Sequence, residues 1–128
     1  MDEREFKDRT RNIALRVVRL CEALPHRWIA STPGKQLLRS GTSIGANYRA
    51  ACRGKSAADM ISKLAIVEEE ADETLYWIDL LVAAKLMPAK RVLALESEIN
   101  QVVKMTVASI RTLRVRSTNP KSKIQNPK

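Results

Sequence analysis

A chain of 128 residues, 45% apolar and 29% charged with four glycines and five prolines, has the composition of one folded domain and not of a disordered one. Aromatic residues make up only 4%, and the many Ala, Leu, Glu, Arg and Lys residues favour helix over sheet. No apolar run approaches the roughly 20 residues of a membrane span, the mixed charges of MDEREFKDRTR do not read as a secretory signal, and Cys21 and Cys52, far apart in helical patterns, read as reduced thiols of a cytoplasmic protein.

The formal net charge of +9 falls in blocks. Residues 25–58 carry six basic side chains and no acid, residues 59–84 carry seven acids against Lys63, and basic residues dominate again from Lys85 to Arg116. A basic surplus draws polyanions, nucleic acid above all. Opposite blocks on neighbouring helices can instead attract each other.

In chain order, Phe6, Thr10, Ile13, Val17, Leu20 and Leu24 recur at spacings of three and four, which predicts a helix from Glu3 to Leu24 stopped by Pro25. HRWIAS reads as a connection, with Thr32 as N-cap and Pro33 opening a second helix that runs to Arg53 and closes at Gly54. Ser56 and Asp59 restart the chain in capping-box-like spacing, and a third helix extends to about Met87. Met60, Leu64, Val67, Ala71, Leu75, Ile78 and Val82 line its core face. Pro88 opens a fourth helix with Val92, Leu95, Ile99, Val102, Thr106, Ile110 and Leu113 as its stripe. From Ser117, STNPKSKIQNPK has no period and reads as a disordered basic tail, leaving residues 1–116 as the domain. The expected fold is all-α, an antiparallel up-and-down four-helix bundle.

The second helix is unusual. Around its axis Leu37, Leu38, Ser40, Gly41, Ile44, Gly45, Tyr48, Ala51 and Cys52 fall on one side. Lys35, Arg39, Thr42, Ala46, Arg49 and Arg53 fall within an arc of roughly 80° on another. Such segregation marks a helix and not a phosphate-cradling loop. Each interior glycine costs about 1 kcal/mol against alanine, so Gly41 and Gly45 beside Ser40 indicate a shallow groove that another backbone approaches closely. The basic stripe is open to three readings: a solvated face, a contact with an acidic helix, or a surface for phosphates. It holds no aromatic residue to stack on bases, so backbone contact is the nucleic-acid mode it allows. Lys35, Arg39, Arg49 and Arg53, with Arg111, Arg114 and Arg116 of the fourth helix, are the candidate nucleic-acid contacts.

The third helix has a second apolar face. Ile66, Tyr76, Trp77 and Leu80 project away from its core face, among Glu69, Glu70 and Glu73. Two large aromatics on an outer face indicate a covering partner. Ile66, Glu69, Glu73, Tyr76, Trp77 and Leu80 are therefore the candidate homo-oligomer interface. Glu68, Glu69, Asp72 and Glu73 include i,i+4 pairs, but a bundle metal site wants Glu-x-x-His repeats, and the single histidine, His26, sits beyond Pro25. No P-loop, nucleophile elbow or Cys/His pair is present, and Ser40 and Ser43 have no histidine on their helix. No catalytic group, metal or cofactor is expected.

LLRSGTSIGANYRAACRGKS followed by KLAIVEEEADETLYWIDLL resembles the 23S rRNA intervening-sequence proteins over Val17 to Leu113. The specific core is R-S-x-x-S-I-x-A-N, here Arg39, Ser40, Ser43, Ile44, Ala46 and Asn47, together with EEADETLYW from Glu69 to Trp77. The resemblance implies a left-handed antiparallel bundle assembled as a homopentameric ring, with no enzymatic activity. It also implies similarity to the accessory variability determinant of diversity-generating retroelements, a basic pentamer that binds nucleic acid and a reverse transcriptase. Residues Tyr48 to Arg53 depart from a version of the pattern that has an acid and a glycine after the asparagine, which makes this second helix more basic. Asn47, at the border of core and basic faces, is expected to hydrogen-bond a neighbouring helix. The expected function is thus a cytoplasmic, non-catalytic homo-oligomer that binds RNA or DNA. The competing reading is a protein-interaction module whose basic face serves assembly or docks an acidic partner.

Overall fold

Four helices form where the apolar period is unbroken, and identifiable groups set where they start and stop. The computed structural model describes residues 2–118, with α1 at Glu3–Glu22, α2 at Trp28–Cys52, α3 at Ala57–Ala83 and α4 at Ala89–Thr118. No strand occurs among the described residues. The Asp2 carboxylate caps α1 by accepting from the Glu5 N–H at 2.8 Å, and the Ser56 hydroxyl caps α3 by accepting from the Asp59 N–H at 3.1 Å. Asp59 in turn accepts from the Lys55 N–H at 3.1 Å, a capping box displaced by one residue.

Two boundaries differ from expectation. The second helix begins at Trp28, a full turn before Pro33, and Thr32 is not its cap. Arg27 takes the extended cap geometry (φ −118°, ψ 139°), and Pro33 falls inside the helix, where it has no N–H to donate. The added turn buries Ala30 in the core, which offsets that loss. The third helix stops at Ala83 and not near Met87. Lys85 turns left-handed at φ 61°, the Leu86 N–H returns to the Leu81 carbonyl and the Lys85 N–H to the Val82 carbonyl, each at 2.9 Å. That pair of bonds is a Schellman termination. The fourth helix continues through Ser117 and Thr118, while the rest of the expected tail lies outside the described residues.

Each helix packs along its sequence neighbour, and a thinner contact between α1 and α4 closes the up-and-down bundle. The expected faces of α1 and α4 are buried, with only Leu113 half-buried at the end. On α3, Leu64, Val67, Ala71 and Ile78 are buried as expected, but Thr74 and Leu81 enter the core while Met60, Leu75 and Val82 are half-buried. Thr74 and Ser40 supply the reason: their hydroxyls meet at 3.0 Å across the α2–α3 seam, turning α3 towards α2. The groove at Gly41 and Gly45 receives α1. A Cβ at Gly41 would stand 2.7 and 2.8 Å from the two Val17 methyls, and one at Gly45 would stand 3.1 Å from Thr10 Oγ1.

Candidate nucleic-acid and assembly surfaces

The basic stripe of α2 divides between two neighbours. Arg39 and Arg49 sit at opposite edges of its arc of roughly 80°, so their long side chains lean to different helices. Arg39 leans to α3: its guanidinium donates to both Glu70 oxygens at 3.2 Å and to Glu73, and its Nε donates to Gln36 at 3.1 Å. Arg49 leans to α1 and joins Lys7 and Arg11 around a groove of about 180 Å³ floored by Thr10, Gly45 and Ala46. Arg53 is the C-cap of α2. Antiparallel packing sets it at the same end of the bundle as Arg111, Arg114 and Arg116 near the close of α4, whereas Lys35 lies at the other end. Lys35, Arg49, Arg53, Arg111, Arg114 and Arg116 are exposed and form no ion pair among the described residues.

On the outer side of α3, Tyr76 is 56% exposed and Ile66, Glu69 and Leu80 are also open. Trp77 differs from expectation. Its ring packs against the core, meets Tyr76 edge-on at 4.9 Å and donates from Nε1 to Glu73 at 3.1 Å. The α3 surface turned towards α2 carries it inward, as the Ser40–Thr74 contact requires. Glu73 is likewise engaged within its own chain. The Trp77 indole, and after it the Arg39 guanidinium, hold its carboxyl below the usual carboxylate range. Of the candidate interface residues, Ile66, Glu69, Tyr76 and Leu80 remain free to meet another surface.

The small polar residues of the α2 motif serve the fold. The Ser43 hydroxyl donates to the Arg39 carbonyl at 2.6 Å, and Ile44 is fully buried. The Asn47 amide donates to the Ser43 carbonyl at 2.9 Å, within its own helix and not across to a neighbour. Ser40 is buried against Thr74, with its hydroxyl 3.3 Å from the Leu37 carbonyl.

Several groups were not legible as partners in the sequence. Arg9 of α1 grips Glu98 of α4 with two bonds of 2.8 Å and reaches Gln101 at 2.8 Å. Lys7 and Arg11, four residues apart on α1, become part of the Arg49 groove only once α1 lies against α2. At the end where α2 and α4 finish, a cavity of about 340 Å³ is lined mainly by apolar groups, among them Ala51, Leu64 and Leu113, with Tyr48, Cys52 and Arg116. Tyr48 stacks on Phe6 with centroids 4.1 Å apart, and burial pushes its phenol pKa up. Trp28, read as part of a connection, opens α2 and is 87% exposed. Its signal was present as an apolar ring in a polar HRW triplet beside a helix start.

The family pattern of the 23S rRNA-intervening sequence proteins matches residues 3–108, nearly all of the helical bundle. The chain belongs to this family. A solved structure from Bacteroides thetaiotaomicron VPI-5482, described as a protein with unknown function from the S23 ribosomal protein family, is similar to it. The two share 36% identity over 83% of this chain and 98% of that one, with a TM-score of 0.78. No curated protein matches the sequence. The span matched to the 23S rRNA-intervening sequence proteins includes the α2 motif, the acidic run of α3 and the Arg9–Glu98 pair, and ends before Arg111, Arg114 and Arg116.

Proposed function

We propose that this member of the 23S rRNA-intervening sequence proteins is a non-catalytic nucleic-acid-binding protein that works as a homo-oligomer, a pentameric ring being the form its resemblance suggests. The observation that carries the reading is the set of exposed arginines without an acidic partner among the described residues, Arg49 and Arg53 of α2 with Arg111, Arg114 and Arg116 of α4, at one end of a bundle of net charge +9. Cations left unpaired by their own fold are free to replace the counterions of a phosphate backbone. Self-association is supported by the open row Ile66, Tyr76 and Leu80. Filter binding of RNA and DNA over a range of salt tests the reading. Affinity is expected to fall steeply, with a log–log slope of about −0.7 to −0.9 per phosphate contacted. No binding at low ionic strength, or binding indifferent to salt, overturns it.

A protein-interaction module is the second reading, favoured by Arg39, whose charge is already spent on Glu70 and Glu73. Arg49→Glu with Arg53→Glu separates the two readings. Loss of RNA affinity with an intact oligomer supports nucleic-acid binding, and loss of the oligomer with RNA affinity retained assigns the stripe to assembly.

A further inference from the structure

The two ends of the bundle differ in how their helices begin. At the end where α1 and α3 start, side chains cap both helices and acids occupy their first turns. At the other end α2 starts without a side-chain cap, and neither α2 nor α4 has an acid in its first turn. The cations His26 (when protonated), Arg27, Lys35, Lys85, Lys90 and Arg91 come from the turns and helix starts gathered there.

Two clefts open at this end, on either side of the last turns of α1. One, of about 420 Å³, runs along the α1–α2 connection with Cys21, Leu24 and Gly34 as its floor and Trp28, Arg27 and Lys35 among its walls. The other, of about 210 Å³, lies between α1 and α4 and is lined by Arg16, Arg19 and Arg91 over Leu20 and Leu95. No carboxylate lines either cleft. Arg16 feels the charge of Glu98, which Arg9 already grips, and Arg16, Arg19 and Arg91 form no ion pair among the described residues. A flat ring exposed over most of its surface, with guanidinium and ammonium groups beside it, is the arrangement that holds unpaired nucleotides: the base stacks on the ring and the phosphates meet the cations.

Resting on the nucleic-acid reading above, we infer that this end of the bundle takes a single strand, with a base stacked on Trp28 and phosphates in the cleft of Arg16, Arg19 and Arg91. Neither Trp28 nor these arginines belongs to the α2 stripe or to the arginine cluster at the opposite end. The strand's negative charge suits two clefts lined by cations alone, where a second copy would bring the cations of this same basic chain against them.

The test is titration of the full chain with a single-stranded oligouridylate at low salt, followed by tryptophan emission and by filter binding. Binding is expected to quench emission, and the quench is expected to vanish in Trp28→Phe, which leaves Trp77 as reporter. Trp28→Ala is expected to weaken binding about tenfold or more. Arg19→Glu with Arg91→Glu is expected to weaken it further and to flatten the salt slope by about 1. A base-free polyphosphate is expected to compete without quenching. Unchanged affinity and salt slope in all these variants overturns the inference while leaving the nucleic-acid reading on the other cations. Absence of oligouridylate, RNA and DNA binding by the parent chain at low salt removes both. A fall in assembly mass on Trp28→Ala means that a second copy covers the ring, and also overturns the inference.

Discussion

At the scale of single residues, two positions carry conformations that their side chains fit badly or fit only by having none. Lys85 lies at φ 61° to complete the Schellman turn between α3 and α4. The left-handed region costs a residue with a Cβ about 1–2 kcal/mol, and part of that is returned when glycine enters because the unfolded chain gains freedom. Lys85→Gly is therefore expected to stabilise the protein by about 0.5–1 kcal/mol, read as a higher thermal midpoint. Gly41 is the converse case. An added methyl would meet both Val17 methyls below 3.0 Å, and Val17 is fully buried with a stiff χ1. Gly41→Ala is expected to destabilise by about 1–2 kcal/mol despite alanine's better helix propensity, as denaturant melts would show. The cost should shrink in a Val17→Ala background, since the two side chains compete for one space. At Gly45 the nearest atom, Thr10 Oγ1, stands 3.1 Å from the added Cβ, so the same change there costs less.

At the scale of helices, the seam between α1 and α4 is thin in packing and is reinforced by charge. Arg9 and Glu98 are bidentate, with their side chains 24% and 20% exposed. The Arg9 hydrogen bond holds the Glu98 carboxyl below its ordinary value, and Glu98 raises that of Arg9. A carboxylate with a depressed folded pKa adds stability above its unfolded value, near 4.5, and that stability is lost as pH falls through the lower folded value. Glu98→Gln is expected to cost about 1 kcal/mol at neutral pH and to reduce the acid-induced loss of stability below the ordinary carboxylate range. Urea melts at neutral pH and near pH 3 check both parts. Equal acid sensitivity in the two proteins would remove this pair from the account.

At the scale of the whole molecule, the open question is what covers α3. Trp77 belongs partly to its own bundle, so Trp77→Ala is expected to lower stability as well as any association, and it reports poorly on assembly. Leu80 and Tyr76 are the sharper probes, being exposed and free of core duties. Leu80→Asp is expected to reduce the mass in solution, by light scattering, with a thermal midpoint changed by no more than a surface substitution would change it. An assembly of unaltered mass would place the contact elsewhere. The same scale separates the two charged ends: the arginines shared by α2 and α4 at one, Trp28 and its neighbouring cations at the other.

The sequence by itself determined the helix count, the buried faces of α1 and α4, the close approach at Gly41 and Gly45, and family membership through the α2 motif and the α3 acidic run. These are local or periodic properties, carried by spacings of three and four and by residues whose cost in a helix demands a reason. Only the tertiary structure decided where charges and boundaries lead. Arg39 and Arg49 lie on one stripe, yet one pairs with α3 and the other lines a groove with α1, because a long side chain at the edge of an arc follows whichever helix lies on that side. Arg9 and Glu98 are 89 positions apart and have no shared pattern. Pro33 signals a helix start, but burial of Ala30 carried the helix a turn further back, and Trp28 thereby became the exposed first residue of α2 instead of part of a loop. Periodicity fixes which side of a helix is apolar, while the partner of a polar group depends on the rotation and neighbours of helices that no local spacing encodes.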